Sequence, residues 1–255
     1  MVQSIFDLTG HRAFISGSSR GIGFTIARGL AEAGAEIVLN ARNAAEVDKA
    51  RQELAAAGHR VHARPFDVSD PAAVAKNIDA IEAEIGAIDI LFNNAGIQRR
   101  GPLVDVTAQT WRDVMSVNVD SVFIVGQAVA RHMIPRGRGK IVNTCSVGSE
   151  LARPTIAPYT TSKGAVKMLT KSMCAEWARH GLQINGIGPG YFKTELNVAL
   201  HTNPAFNQWV ETRTPAGRWG ELPELVGVAV FLASEASSYV NGQVFYVDGG
   251  FTAVM

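Results

Sequence analysis

Between residues 144 and 164 the chain reads TCSVGSELARPTIAPYTTSKG, which sets the hydroxyl of Ser146, the phenol of Tyr159 and the ammonium of Lys163 in one short span. Tyr159 and Lys163 are four apart, so in a helix that opens near Pro158 they stand one above the other on the same face. A phenol beside an ammonium is a candidate general base. Free tyrosine titrates near pH 10, and lowering that by roughly three units takes about 4 kcal/mol of preferential stabilisation of the phenolate. A neighbouring cation contributes to this where water is excluded. A serine at the end of the preceding strand could donate a hydrogen bond to an oxygen that gathers charge. The same residues also describe a solvated helix start, and hydroxyls and lysines are common.

The segment SGSSRGIG, residues 16–23, supplies a second kind of chemistry. It follows the apolar run RAFI and precedes an amphipathic stretch, so Gly17, Gly21 and Gly23 would let the backbone turn tightly and approach a diphosphate, with helix N–H groups pointing at the anion. Gly17, Ser19, Arg20, Gly21, Ile22 and Gly23 are therefore expected to contact a dinucleotide. The end of the second strand reads Asn40, Ala41, Arg42, with no acid to accept a ribose 2′-hydroxyl. Arg20 and Arg42 could instead grip a 2′-phosphate, which predicts that NADP(H) is preferred over NAD(H). Both could also be ordinary surface arginines.

Elements of fitting kind surround these residues. Apolar runs (RAFISG, EIVLNAR, VHARPFDV, IDILFNNAG, KIVNTCS, QINGIGPG, QVFYVDGG) alternate with segments of helical period, among them residues 44–57, 71–85, 111–134, 158–179 and 223–234. The alternation predicts an α/β chain: one Rossmann-like, doubly wound domain over residues 1–255, with a seven-stranded parallel sheet flanked by helices on both faces. Residues 190–220 break the pattern and are expected to form a lid over a ligand site.

Bulk properties restrict the partners. With 24 basic against 23 acidic residues there is no electrostatic footprint for nucleic acid or an anionic membrane. No unbroken apolar run approaches about 18 residues, so no membrane partner is expected. Cys145 and Cys174 are the only cysteines, which suits a reducing, cytoplasmic setting better than a disulfide framework. Strand alternation should turn Cys145 away from its neighbour Ser146, as a small buried apolar group. The six histidines are scattered, and no metal is expected.

The motifs together resemble the short-chain dehydrogenase/reductase family over essentially the whole chain. SGSSRGIG is similar to that family's TGxxxGxG, with Ser16 in place of threonine; FDV supplies Asp67 and Val68; NNAG stands intact, with Asn94, Ala95 and Gly96; Asn118 lies in SVNV; Ser146, Tyr159 and Lys163 match the catalytic set. PGYFKT resembles the family's PG-x-[IV]-x-T, so Pro189, Gly190 and Thr194 would approach the cofactor, along with Phe192, which replaces the usual Ile or Val. The resemblance implies alcohol–ketone interconversion with a nicotinamide dinucleotide. Tyr159 would be the base or acid, Ser146 would bind the substrate oxygen, Lys163 would hold the nicotinamide ribose and acidify Tyr159, and Asn118 would help hold a water linking Lys163 to solvent. It also implies a homotetramer, with the Tyr159 helix and the last strand as contact surfaces.

A narrower likeness, in GIQRR, GYFKTE and RTPAGRW, is to the gluconate 5-dehydrogenase subfamily, whose substrate is a sugar acid. A carboxylate with a row of hydroxyls needs a cation and polar groups. Arg99 or Arg153 is expected to pair with it and Glu150 to accept sugar hydroxyls, alongside Ser146 and Tyr159; Arg100 and Glu150 could equally be subunit-contact or surface charges. The rival substrate classes are 3-oxoacyl thioesters and other sugars or polyols, and a non-catalytic dinucleotide sensor is the rival from another functional class.

Overall fold

The computed structural model describes residues 3–194 and 197–254. Strands β1 (Arg12–Ile15), β2 (Glu36–Leu39), β3 (Val61–Ala63), β4 (Ile90–Asn93), β5 (Gly139–Thr144), β6 (Leu182–Pro189) and β7 (Val244–Val247) pair in parallel, in the order β3-β2-β1-β4-β5-β6-β7. The central strands are buried on both faces, β4 and β5 almost without interruption, while the edge strands β3 and β7 are half-buried along their length. This is the pattern of a parallel sheet covered on both sides.

Helices α1 (Gly21–Glu32), α2 (Ala44–Ala56) and α9 (Val226–Ala233) cover one face through Ile26, Leu30, Val47, Leu54, Ala229 and Leu232. Helices α3 (Pro71–Glu84), α5 (Ser121–Arg136) and α6 (Ala157–Trp177) cover the other through Val74, Ile78, Ile81, Val125, Val129, Val166 and Met173. Local sequence starts several of these helices. Asn43 caps α2 by accepting from Ala45 and Glu46, and Asp70 caps α3 by accepting from Ala72 and Ala73, with Pro71 pre-set in the first turn.

Strand β1 is paired with β2 on one side and β4 on the other. The chain order reverses there, so a crevice opens at the C-terminal ends of these strands. The glycine loop, the NNAG segment and Ser146 all follow strand ends on this edge.

Three elements depart from the sequence-based expectation. The strand expected over 61–68 ends at Ala63, because the Asn40 side chain donates to the carbonyls of Arg64 (2.9 Å) and Phe66 (3.1 Å) and replaces the ladder by a side-chain tie. The helix expected over 111–134 is two helices, α4 (Ala108–Met115) and α5, joined by a π-helical turn, Ser116–Asp120. By length and composition the run Ala108–Arg136 is long and apolar enough to cross a bilayer, although charged residues interrupt it; 44% of its most apolar part is buried within the protein. Finally, the irregular stretch 190–220 contains α7 (Val198–His201) and α8 (Pro204–Arg213), with Glu195 and Leu196 outside the described residues.

Candidate active site

Helix α6 opens with Pro158 in its first turn, and this sets Tyr159 and Lys163 one turn apart beside the end of β5. The Lys163 side chain is buried, and its Nζ donates to the Thr144 carbonyl at 2.6 Å, 5.8 Å from the centre of the Tyr159 ring. Ser146 begins a one-turn 3-10 helix, Val147–Ser149, where its Oγ accepts from the Gly148 N–H at 3.0 Å. The Ser149 hydroxyl accepts from the Ser146 N–H (3.2 Å) and donates to the Lys163 carbonyl (2.9 Å), so the serine loop is tied to the helix that carries tyrosine and lysine. The Ser146 hydroxyl also favours ionisation of the Tyr159 phenol.

Burial pushes the Tyr159 phenol above its ordinary value; the Ser146 hydrogen bond opposes this, while Cys145 and Tyr191 add to it. Burial likewise pushes Lys163 down, to about 8, opposed in part by Cys145. The expectation that Lys163 acidifies Tyr159 is thus not met by the protein atoms alone: the ammonium faces a carbonyl, and desolvation dominates the phenol. Cys145 is buried beside Gly186, with its thiol pushed up to about 11 mainly by burial, so it behaves as a small apolar group.

Asn118 lies in the π-turn and is fully buried. Its Oδ1 accepts from the Ile97 N–H (2.7 Å), and its Nδ2 donates to the Ile97 carbonyl (2.9 Å) and to Ser162 Oγ (3.0 Å). Both side-chain donors are engaged, so Asn118 braces the segment after NNAG against α6 rather than offering an amide N–H to a water. Gly96 lies at this junction, where a Cβ would make ordinary contact with Asn118 Oδ1 (3.4 Å) and Lys163 Nζ (3.8 Å).

The glycine loop packs directly on NNAG. The Ser16 hydroxyl accepts from the N–H groups of Asn94 (3.0 Å) and Ala95 (3.1 Å), and Asn94 Nδ2 returns bonds to the carbonyls of Ser16 (3.1 Å) and Gly17 (2.9 Å). Gly17 has φ +62°, and a Cβ there would lie 2.7 Å from Ala95 Cα; at Gly23 a Cβ would lie 2.4 Å from both Asn94 Nδ2 and the Gly17 carbonyl. Only glycine fits at either place. Arg20, at the N-cap of α1, provides no side-chain cap, and this leaves the first-turn N–H groups as a ready anion cradle that suits a dinucleotide diphosphate. Of the residues expected to hold the cofactor, Gly17, Gly21, Ile22 and Gly23 form this cradle.

Around the adenosine end, Arg20 lies 3.6 Å from Glu46 and Arg42 lies 4.0 Å from Asp67, and all four side chains are largely exposed. Glu46 also meets the Ser19 hydroxyl at 3.5 Å; no acid occupies the end of β2, yet one reaches this site from α2, a residue the strand-end rule does not inspect. Burial alone would raise the Asp67 carboxyl, but the Ser69 hydroxyl and amide, with Arg42, outweigh it and hold it below its ordinary value. Val68 is buried beside Phe66. Asn40, counted from sequence among the cofactor contacts, has its side-chain amide committed to the β3 connection instead.

A cavity of about 380 Å³ adjoins Ser146 and Tyr159. Ile22, Pro189, Gly190, Phe192 and Thr194 line its cofactor side, and Arg100, Arg153 and Arg213 line it as cations. Two expected substrate residues are elsewhere. Arg99 and Arg100 are both exposed; Arg99 meets the Gln98 carbonyl at 3.4 Å, whereas Arg100 borders the cavity. Glu150 pairs with Lys167 and accepts from the Tyr246 hydroxyl (2.6 Å), so its carboxylate joins α6 to β7 and is not among the cavity's lining residues.

The outer wall comes from the 190–220 stretch. Tyr191 is the hub of an aromatic cluster, with ring centres 5.8 Å from Phe206, 5.6 Å from Trp209, 5.6 Å from Trp219 and 5.2 Å from Phe251. Arg153 stacks over Phe206 (4.9 Å) and Arg213 over Phe251 (4.7 Å). Arg213 and Phe251 were not found from the sequence; their only signal is an apolar, arginine-bearing pattern in a segment without periodicity.

A family model described as Enoyl-(Acyl carrier protein) reductase matches residues 17–252. The chain is 61% identical to the gluconate 5-dehydrogenase of Gluconobacter oxydans (strain 621H), over 97% of each chain, and 50% identical to the 5-keto-D-gluconate 5-reductase of Escherichia coli (strain K12), over 98% of each. Among solved structures, a gluconate 5-dehydrogenase from Burkholderia cenocepacia J2315 in complex with NADP and tartrate superposes with a TM-score of 0.98 at 58% identity, over 100% of both chains. Likeness of this depth, running from the glycine loop to the last strand, makes the chain a member of the short-chain dehydrogenase/reductase family.

Proposed function

We propose that the protein interconverts D-gluconate and 5-keto-D-gluconate with NADP(H), preferred over NAD(H). The observation that carries this reading is that Ser146 and Tyr159 share the wall of a cavity that Arg100 and Arg153 also line, next to a glycine loop suited to a dinucleotide. The names of the relatives agree with it. A bound nicotinamide dinucleotide supplies the hydride acceptor or donor and, when oxidised, a positive charge close to the phenol.

Tyr159 takes the proton of the substrate hydroxyl in the oxidative direction and returns it in the reductive one. Because burial holds the phenol high, it becomes a competent base only once a cation is beside it, which couples proton transfer to cofactor occupancy. Ser146 steadies both the phenol and the substrate oxygen as charge develops. Lys163, fixed by the Thr144 carbonyl and by the turn of α6, presents the cation that holds the nicotinamide ribose. Arg100 and Arg153 bind the substrate carboxylate, taking the part expected of Arg99.

The preference for NADP(H) is supported by the exposed, weakly paired Arg20 and Arg42, whose carboxylate partners at 3.6 and 4.0 Å are readily exchanged for a phosphate. Four structures among the relatives carry NADP by name, a 3-oxoacyl (acyl-carrier-protein) reductase among them. A homotetramer is supported by apolar residues exposed on and near the α4–α6 helices: Phe123 at 46%, Met168 at 60% and Val104 at 92% exposure. A cytoplasmic location agrees with two free thiols. The rival substrate class, 3-oxoacyl thioesters, fits less well, because an acyl chain would have to pass a cavity lined by three guanidiniums. Steady-state assays with 5-ketogluconate, acetoacetyl thioester and a polyol panel, each with NADPH and NADH, test the reading; turnover of the thioester but not of the keto acid would overturn it.

A further inference from the structure

The cavity beside Ser146 and Tyr159 carries more positive charge than a sugar monocarboxylate can match. Arg100, Arg153 and Arg213 line it, and no aspartate or glutamate is among its described lining residues. Elsewhere in the fold arginines meet carboxylates, as Arg12 does Glu36, Arg136 Glu82 and Arg218 Glu224.

The three cations form two separate poles. Arg100 and Arg153 act on each other: burial first, and then the Arg153 charge, hold Arg100 below its ordinary value, and both bear on the Tyr191 phenol. Arg213 stands on a different ring of the aromatic cluster from Arg153. Its guanidinium stacks on Phe251 at 4.7 Å, its Nη2 donates to the Val254 carbonyl at 2.8 Å, and its Nη1 is buried with no protein partner. Tyr191 lies between the poles, touching Phe206 beneath Arg153 and Phe251 beneath Arg213. One carboxylate neutralises one pole, and the buried Nη1 of Arg213 is then left unmatched, which is unfavourable.

We infer that the substrate cavity is bipolar and that Arg213 is a specificity-determining residue for a second anionic group, so that hydroxy dicarboxylates bind more tightly than hydroxy monocarboxylates of equal length. The inference rests on the reading of this cavity as a sugar-acid site. Arg213 is suited to the role because its stacking partner and the Val254 carbonyl fix the plane of the guanidinium before a ligand arrives, which limits the entropy lost on binding.

Calorimetric titration of the enzyme–NADPH complex with glucarate, gluconate and glucitol tests it. Glucarate is expected to bind on the order of tenfold more tightly than gluconate, with glucitol the weakest. Arg213→Gln should bring the glucarate-to-gluconate ratio close to one, and Arg213→Lys should keep most of the advantage. Thermal melting and NADPH titration check that the variants fold; should Arg213→Gln fail to fold, a glucarate advantage in the unmodified enzyme that shrinks with rising salt gives the same answer. Glucarate binding no tighter than gluconate, or an advantage that survives Arg213→Gln, would overturn the inference. Turnover separates this from the proposed reaction: if gluconate is not oxidised but glucarate still binds more tightly, the reaction assignment fails and the bipolar cavity stands. If gluconate is oxidised and the advantage is absent, the reverse holds.

Discussion

The two walls of the active-site cleft are built on different physical principles. On the cofactor side, β1 and β4 bring SGSSRGIG and NNAG into contact through main-chain atoms, one serine and one asparagine, at separations only glycine permits. On the substrate side, the wall is a cluster of aromatic rings from residues far apart in the chain, held mostly by packing, with arginines stacked on its edges. The first wall tolerates almost no change of residue and recognises what the whole family must bind. The second is held by packing, and on the proposed reading it selects the substrate.

The largest effect should come where the two walls meet. Tyr159→Phe removes the proton carrier but no packing, so turnover should fall about 10³-fold while NADPH affinity stays close to that of the parent, checked by stopped-flow kinetics and fluorescence titration. Activity within a few-fold of the parent would mean that another group moves the proton.

Next come paired substitutions, one per wall. Gly17→Ala forces a Cβ against Ala95 in a backbone conformation that L-residues avoid, and should cost about 1–3 kcal/mol of stability and weaken NADPH binding. Trp209→Ala opens the aromatic wall and should raise the Michaelis constant for the sugar acid about tenfold, with that for NADP within two- to threefold. If both variants disturb both constants alike, the walls are not separable.

A smaller change tests the adenosine end. Arg42→Asp should reduce the NADPH-over-NADH preference about tenfold, read as the ratio of kcat/KM values. An unchanged ratio would leave Arg42 as a surface charge.

The smallest effect is in stability against pH. Lys163 sits near 8 in the fold, against about 10.4 for an unfolded lysine. Between those values the unfolded chain binds more protons, so this lysine makes stability rise with pH across that window and contributes no slope below it. Denaturation curves for the parent and Lys163→Met should therefore diverge between about pH 8 and 10.4, with the parent gaining, and run parallel below.

Legibility in the sequence follows the same division. The seven strands, the glycine loop, NNAG and the Ser146–Tyr159–Lys163 set could be read because each depends on near neighbours in the chain: apolar runs bounded by turns, a helix start, a four-residue spacing. Asn118 was found, but its brace to Ile97 and Ser162 was not, because those partners come from other elements. Glu150 was given to the substrate, since a charged loop residue beside the catalytic serine looks available. Lys167 and Tyr246 claim it only once α6 and β7 are side by side. Arg99 and Arg100 are adjacent, and sequence alone cannot say which one borders the cavity.

The sequence by itself thus determined the fold class, the glycine loop and the grouping of Ser146, Tyr159 and Lys163, since periodicity, glycine geometry and helical spacing act over a few residues. Tertiary structure alone decided which cations share the cavity, how Tyr191 gathers four rings into its wall, and which way the pKa values of Tyr159 and Lys163 move. Those properties depend on desolvation and on contacts between distant segments, and both come into being only when the sheet and its helices close around them.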